Sequence, residues 1–348
     1  MAAIRGDRAG LRLLPTACGN PDHTGRSARA ALTAQRLERR CLTCWRPVSP
    51  RLTGVSAAAS RTIALPHCRV SYAEYGADHG TPVLYCHGVP GTHLEGEAFD
   101  EAGAAAGRRI LAVDRPGMAE SSLPAGERVV DWVDTVAALA DRLELDRFAV
   151  IGVSGGGPFA LAIAARLPDR VTGVALVSAP APPGEQADAA ELDPVARRRR
   201  RGLNVLRRVP FLVHPMAMEM SLVIRRQKGV AGLVAQMAPV DRDRVEGDPD
   251  LTAKLEANLR RSFEQGSRGF ATDIRLVFTR DWGFTLAEVT VPVQIWHGDA
   301  DGNVPVDDAH RLAAALPHGE LHLVDGAGHL LFVDRPADIL ASLGTDRS

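Results

Sequence analysis

Ser154 lies in Gly152-Val-Ser-Gly-Gly156, after the apolar run 148–153 and before Pro158-Phe-Ala-Leu161. A serine with glycines two positions before and after it, between a strand and a helix, has the spacing of a nucleophile elbow. The turn is tight enough to strain the nucleophile's backbone. The flanking positions must be small, because their Cβ atoms would otherwise collide. Such a turn pushes the Ser154 hydroxyl clear of the sheet. It also aims the Gly155 amide and a helix N-terminus at negative charge forming there. Two other glycine-rich turns fit less well. A phosphate loop would continue with Lys-Ser/Thr, and none follows. A dinucleotide fingerprint needs glycine where Ser154 stands and an acid at the end of the next strand, near residue 178.

A serine hydroxyl attacks an acyl carbon only when a base takes its proton, and the base needs an orienting acid. Of eleven histidines, His329 is best placed, in Asp325-Gly-Ala-Gly-His329 just after the last expected strand. His322 falls inside that strand, and His310 and His318 flank a helix and are expected at the surface. His23, His67, His79 and His214 have no supporting context. The acid belongs on the loop after the preceding strand, His297-Gly-Asp299-Ala-Asp301-Gly-Asn-Val-Pro305. Asp301 lies far enough along that loop to reach His329. Asp299 is the rival, read as a turn residue bonding its own backbone. The order Ser, Asp, His along the chain suits this arrangement. An oxyanion needs two donors, and the Val89 amide, in His87-Gly-Val89, is the expected partner of Gly155. His87 is read as shaping its loop rather than moving protons.

The elements that must position these groups alternate. Strands are expected at 62–65 and 68–75 as a hairpin, then at 82–86, 110–113, 148–153, 174–177, 291–296 and 320–324. Helical spacing covers 94–107, 129–143, the stretch after Ser154, and 330–343. Alternation of this kind implies a mostly parallel sheet covered on both faces, with the hairpin as an antiparallel edge. The Pro-rich exit 179–184 opens a stretch of helices without strands. The domain reading is a core over 61–182 and 291–348, with a helical cap over 183–290 above the strand ends, where ligands of open α/β sheets bind.

With 348 residues, 45 % hydrophobic and 24 % charged, the chain suits one large α/β domain with an insert. A net charge of −1 does not point to nucleic acid. Lysine occurs only at 228 and 254 while arginine is abundant, which is read as codon bias. No apolar run approaches the ~20 residues of a membrane span. Five cysteines, at 18, 41, 44, 68 and 86, make a disulfide framework unlike this chain, and a reducing cytoplasm is the expected compartment. Residues 1–60 read as a disordered extension. Within it 28–40 has amphipathic spacing, and Cys18, His23, Cys41 and Cys44 have the donor types of a zinc site; an Arg-rich, acid-poor start also fits a targeting peptide. The flexible reading is preferred, and no metal or organic cofactor is expected.

With these pieces in place the chain resembles the α/β-hydrolase superfamily, specifically its serine hydrolases with a helical lid. Four stretches carry the resemblance: His87-Gly-x-Pro-Gly91, Gly152-x-Ser-x-Gly156, Gly298-x-x-Asp301-x-x-Val-Pro305 and Gly326-Ala-Gly-His329. It implies an eight-stranded, mostly parallel sheet with an inserted cap. It also implies cleavage of a small or medium carboxylic ester through an acyl-enzyme on Ser154, with Asp301 and His329 as its partners and Val89 and Gly155 as oxyanion donors. One departure is Ala119, in Asp114-Arg-Pro-Gly-Met-Ala-Glu-Ser121, where the family usually has glycine. A serine nucleophile argues against the epoxide-hydrolase and haloalkane-dehalogenase branches, which use aspartate. Gly155 does not match the tryptophan usual after the nucleophile in the branch that releases N-terminal proline. The alternatives with the same triad are carbon–carbon bond hydrolysis and cofactor-free perhydrolysis. From another class comes a non-catalytic ligand receptor. The expected partner is a small-molecule substrate. Met216, Met218 and Met220, with Phe211 and Leu212, either line an adaptable pocket or form the cap's own core. The run 197–201 of arginines is read as a solvated face, balanced by Glu185, Asp188, Glu191 and Asp193. Trp282 and Phe284 are read as anchors of the cap.

Overall fold

A computed structural model describes residues 59–123, 126–183, 194–226 and 229–344. The expectations for residues 1–58, including the amphipathic stretch 28–40 and the four zinc-type donors, lie outside the described residues. So do the acids at 185, 188, 191 and 193.

Eight strands form one sheet: β1 (Arg61–Ala64), β2 (Arg69–Gly76), β3 (Thr81–Cys86), β4 (Arg108–Val113), β5 (Phe148–Val153), β6 (Val171–Val177), β7 (Val293–Gly298) and β8 (Gly319–Val324). Their order is β1-β2-β4-β3-β5-β6-β7-β8. β1 pairs antiparallel with β2 and β2 with β4, and every later pairing is parallel. All six residues of β5 are buried. Alternate side chains go to opposite faces. Phe148 and Val150 join one core with Val136, Leu139 and Phe159. Ala149, Ile151 and Val153 join a second with Phe99, Ile339 and Leu340. A strand buried on both faces needs an unbroken apolar run, and that is why this one carries no alternation.

The helices that cover the sheet are α1 (Asp100–Ala105), α2 (Val133–Arg142), α3 (Gly157–Arg166), α10 (Val306–Ala315), α11 (Leu331–Asp334) and α12 (Pro336–Ser342). Between β6 and β7 come α4 (Pro194–Arg208), α5 (Val213–Arg225), α6 (Gly229–Val234), α7 (Pro239–Glu246), α8 (Pro249–Ser262), α9 (Arg268–Ile274) and a π-helical turn over Arg275–Thr279. Among the described residues this stretch has no strand. It has its own apolar cluster, built from Val213, Ala217, Ile224, Phe263 and Phe270. No helix among the described residues is long and apolar enough to cross a membrane.

Three local expectations need adjusting. The helix read over 330–343 is broken into α11 and α12, because Pro336 cannot donate to the preceding turn and holds Arg335 out of helical geometry, at φ −128°. The helix read over 94–107 starts as a 3₁₀ turn, His93–Phe99, capped by the Thr92 hydroxyl, and becomes α-helical at Asp100. β6 starts three residues earlier than its apolar run suggested. Ala119, the departure from the family pattern, takes a left-handed backbone, φ +40°. That strain costs about 1 kcal/mol. Burying the Ala119 methyl returns nearly as much, so alanine is tolerated where glycine is usual.

Candidate active site

Ser154 follows β5 at φ +51°, a left-handed conformation that side-chain-bearing residues seldom hold. A one-turn 3₁₀ segment, Ser154–Gly156, leads from it into α3, with Pro158 in the first turn. The flanking glycines are required, because a side chain at either would collide with its surroundings. A Cβ on Gly152 would lie 2.7 Å from that of Ala160, and one on Gly156 would run into the Cys86 carbonyl at the end of β3. The elbow is thus squeezed between its own helix and the neighbouring strand.

The three expected partners come together. The Ser154 Oγ lies 3.1 Å from His329 Nε2. The Asp301 carboxylate lies 2.8 and 3.1 Å from His329 Nδ1. A carboxylate only accepts, so Nδ1 carries the hydrogen and Nε2 is left to accept from the Ser154 hydroxyl. Asp301 Oδ1 also accepts from the Asn303 and Val304 amides, at 2.7 and 2.9 Å. Burial alone would raise the Asp301 carboxyl. The adjacent His329 and His297, with the Val304 amide, hold it below its ordinary value. Asp299 takes a different part from its rival: it accepts from the Gly326 amide at 2.7 Å, tying the His329 loop to the Asp301 loop. His310 and His318 are exposed, and His322 stacks on Trp296.

Val89 and Gly155 also adjoin. The first atom of a side chain on Gly155 would lie 3.6 Å from the Val89 amide nitrogen, and would crowd the Val89 side chain. β3 and β5 are paired neighbours, which brings the two loops to the same sheet edge. His87 is fully buried, and its Nδ1–H donates to the Gly88 carbonyl at 2.8 Å. Burial, then the nearby Arg115 charge, keeps this imidazole neutral.

Sequence reasoning missed the groups that hold this loop. Arg115 is fully buried and donates to the His87 and Gly88 carbonyls at 2.6 and 2.8 Å. Its other edge meets Asp273 Oδ2 of α9 at 2.8 and 3.0 Å, and its plane covers the Phe159 ring. On the other side Glu95 accepts from the Gly88 amide at 2.7 Å and from Asn258 of α8 at 3.1 Å. The one available signal was Arg115 within Asp114-Arg-Pro-Gly. Asp273, Glu95 and Asn258 sit in no motif, and only packing brings them here.

Ser154 opens into a cavity of about 230 Å³ between the sheet edge and the helices that follow β6. Phe270, Ile274, Val277, Phe278 and Met220 give it an apolar wall, and Arg207, Asn303, Asp307 and Asp308 a polar end. The methionines differ. Met220 lines the cavity and, like Met216, packs against the helices' own cluster, while Met218 and Phe211 face solvent. Trp282 is buried in the main core and stacks on Phe284, as an anchor would.

Burial pushes the Asp308 carboxyl from 3.8 up to about 6, although Arg311, 2.9 Å away, pulls it down. A carboxyl with a folded pKa above its unfolded one keeps its proton longer in the folded protein. The stability it contributes is complete below about pH 4 and is lost as pH rises through 6. Asp308→Asn keeps the shape without the charge. It should gain on the parent by up to about 3 kcal/mol between pH 4 and pH 7.5. Urea midpoints of both proteins at the two pH values read this, and a difference that does not change with pH would refute it.

The family model described as the alpha/beta hydrolase fold matches residues 81–336. Among curated relatives, the chain is 28 % identical over 279 residues to a proline iminopeptidase of Levilactobacillus brevis, covering 76 % of this chain and 87 % of the relative. It is 25 % identical over 292 residues to a 2-hydroxy-6-oxo-2,4-heptadienoate hydrolase of Pseudomonas putida, covering 82 % and 94 %. Among solved structures, an alpha/beta hydrolase fold protein from Nakamurella multipartita is 27 % identical with a TM-score of 0.59, covering 82 % of this chain and all of the other.

Proposed function

The chain belongs to the alpha/beta hydrolase fold family, and from that premise we propose that it is a serine hydrolase of small or medium carboxylic esters or related acyl compounds. The observation that carries this reading is the unbroken line Asp301–His329–Ser154 ending in a largely apolar cavity. In the proposed mechanism His329 Nε2 takes the Ser154 proton as Oγ attacks the acyl carbonyl. Asp301 keeps Nδ1–H in place and stabilises the imidazolium that forms. The Val89 and Gly155 amides receive the oxyanion; losing one such donor typically costs about 3–4 kcal/mol of barrier. His329 then returns its proton to the leaving alkoxide, and water, activated by the same imidazole, releases the acid and restores the Ser154 hydroxyl. Residues 183–290 act as the cap, contributing Met220, Phe270 and Phe278 to the acyl wall.

A second reading is favoured by the likeness to the Pseudomonas putida hydrolase over 82 % of this chain. A 2-hydroxy-6-oxo-dienoate has no ester group, so its hydrolysis must break a carbon–carbon bond. The same hydroxyl, base and acid serve either bond. The iminopeptidase likeness draws less support from the site, where glycine follows the serine. A pure receptor would need neither His329 nor Asp301.

The test is hydrolysis of p-nitrophenyl esters of graded acyl length by the parent protein. Chromophore release that peaks at a short or medium acyl chain is the expected result. Silence on every ester, with turnover of a vinylogous 1,5-diketone, would move the assignment to carbon–carbon cleavage.

A further inference from the structure

Asp241 is an aspartate in the first turn of α7, in a stretch, Ala238-Pro-Val-Asp241, that carries no motif. Its residue is only 2 % exposed. A buried carboxylate is costly unless its oxygens are satisfied. Here both are satisfied by the loop that carries His329. Oδ2 accepts from the His329 amide at 3.0 Å and Oδ1 from the Leu330 amide at 2.9 Å. The fit leaves no slack, since a Cβ on Gly328 would run into this carboxylate. The same segment also braces the acid's loop. A Cβ on Gly302, next to Asp301, would lie 2.8 Å from that of Ala238.

We infer that Asp241 is a positioning residue for the base: it fixes the backbone of His329 from α7, so the imidazole reaches its working place only when α7 is seated on the core. This rests on the reading of Ser154 and His329 given above. Two charge-assisted bonds from one rigid carboxylate set both the height and the rotation of the loop. A histidine placed about 1 Å wrong can cost about 100-fold in rate. The coupling has a consequence for the helical segment. Any motion that lifts α7 withdraws the clamp, so the segment would assemble the base as well as roof the cavity.

The test compares the parent, Asp241→Asn and Arg244→Gln, with Ser154→Ala as the labelling blank, on an ester substrate and with an alkyl fluorophosphonate. The reagent phosphonylates Ser154: Oγ bonds to phosphorus, fluoride leaves, and the hydroxyl proton passes to His329. Asp241→Asn keeps the side-chain volume, but its NH₂ must face one of the two amides. Its turnover per labelled site should fall about 10- to 100-fold with KM within about threefold, and the rate of labelling should fall in step while the final labelled fraction stays near that of the parent. Arg244→Gln is the control. Arg244 makes a solvent-exposed pair with Asp334 of α11 at 2.9 Å and does not touch the His329 backbone; a surface pair of this kind contributes too little to unseat α7, so its loss should change the rate less than about threefold. The inference is overturned if Asp241→Asn lowers only the labelled fraction and not the rate per site, or if Arg244→Gln loses as much as Asp241→Asn. If the parent takes no label, or Ser154→Ala still takes it, the nucleophile reading is what has failed. The clamp is then judged by amide hydrogen exchange alone. Protection of the His329 and Leu330 amides, lost in Asp241→Asn, supports it; equal protection in both proteins refutes it.

Discussion

Ser154→Ala should lower kcat on p-nitrophenyl esters by about 10⁶-fold while leaving the fold intact. The size follows from what the hydroxyl does. In the proposed mechanism no acyl-enzyme forms without it, and only the proposed donors and the cavity remain to help water attack. The stability change should be small. Alanine inherits the same left-handed backbone and the same Cβ, and the loss is one hydrogen bond to His329, worth about 1 kcal/mol. Circular dichroism and a thermal melt check the fold, and a stopped assay checks the rate. A mutant that keeps even a hundredth of the parental rate would remove Ser154 from the mechanism, whatever its geometry.

Asp301→Asn should cost about 10⁴-fold in kcat, and the surroundings explain why so similar a side chain does so much damage. Asp301 Oδ1 is held by two amides, of Asn303 and Val304. An asparagine must put its one oxygen there, because an NH₂ group cannot face two donors. Its NH₂ is then forced onto His329 Nδ1, which must accept. The ring hydrogen moves to Nε2, so the nitrogen facing Ser154 can no longer take a proton. KM should stay within a few fold, since Asp301 does not line the cavity. A proton-detected nitrogen spectrum of the two proteins should show the His329 hydrogen on Nδ1 in the parent and on Nε2 in the mutant. Full activity in Asp301→Asn would mean the acid lies elsewhere, with Asp299 the first alternative.

The candidate site was largely legible because its geometry depends on short-range constraints. An elbow needs Gly-x-Ser-x-Gly at fixed spacing, and a loop that aims a histidine after a strand needs glycines beside it. Such constraints leave marks a few residues long. The strands were legible for a related reason: burial on both faces demands an apolar run, and β3 to β6 show one. The helix ends were less so. Pro336 broke a helix whose apolar spacing alone reads as continuous, because a missing donor outweighs periodicity.

From the chain alone came the sheet and, at its strand ends, the candidate residues Ser154, His329, Asp301, Val89 and Gly155, since each lies within a few residues of a strand end. Packing alone decided what holds them. Asp241 meets the His329 backbone across 88 residues of chain, Arg115 meets Asp273 across 158, and Thr92 meets Asn258 across 166. A carboxylate that serves a backbone amide has no preferred spacing from it, so the sequence carries no trace of the pair. The helices between β6 and β7 obey the same rule. Their apolar faces are satisfied by any core of the right volume, and whether Met220 or Met218 meets the cavity turns on how α5 is rotated against its neighbours. That rotation is settled by tertiary contacts, and with it the shape of the cavity wall.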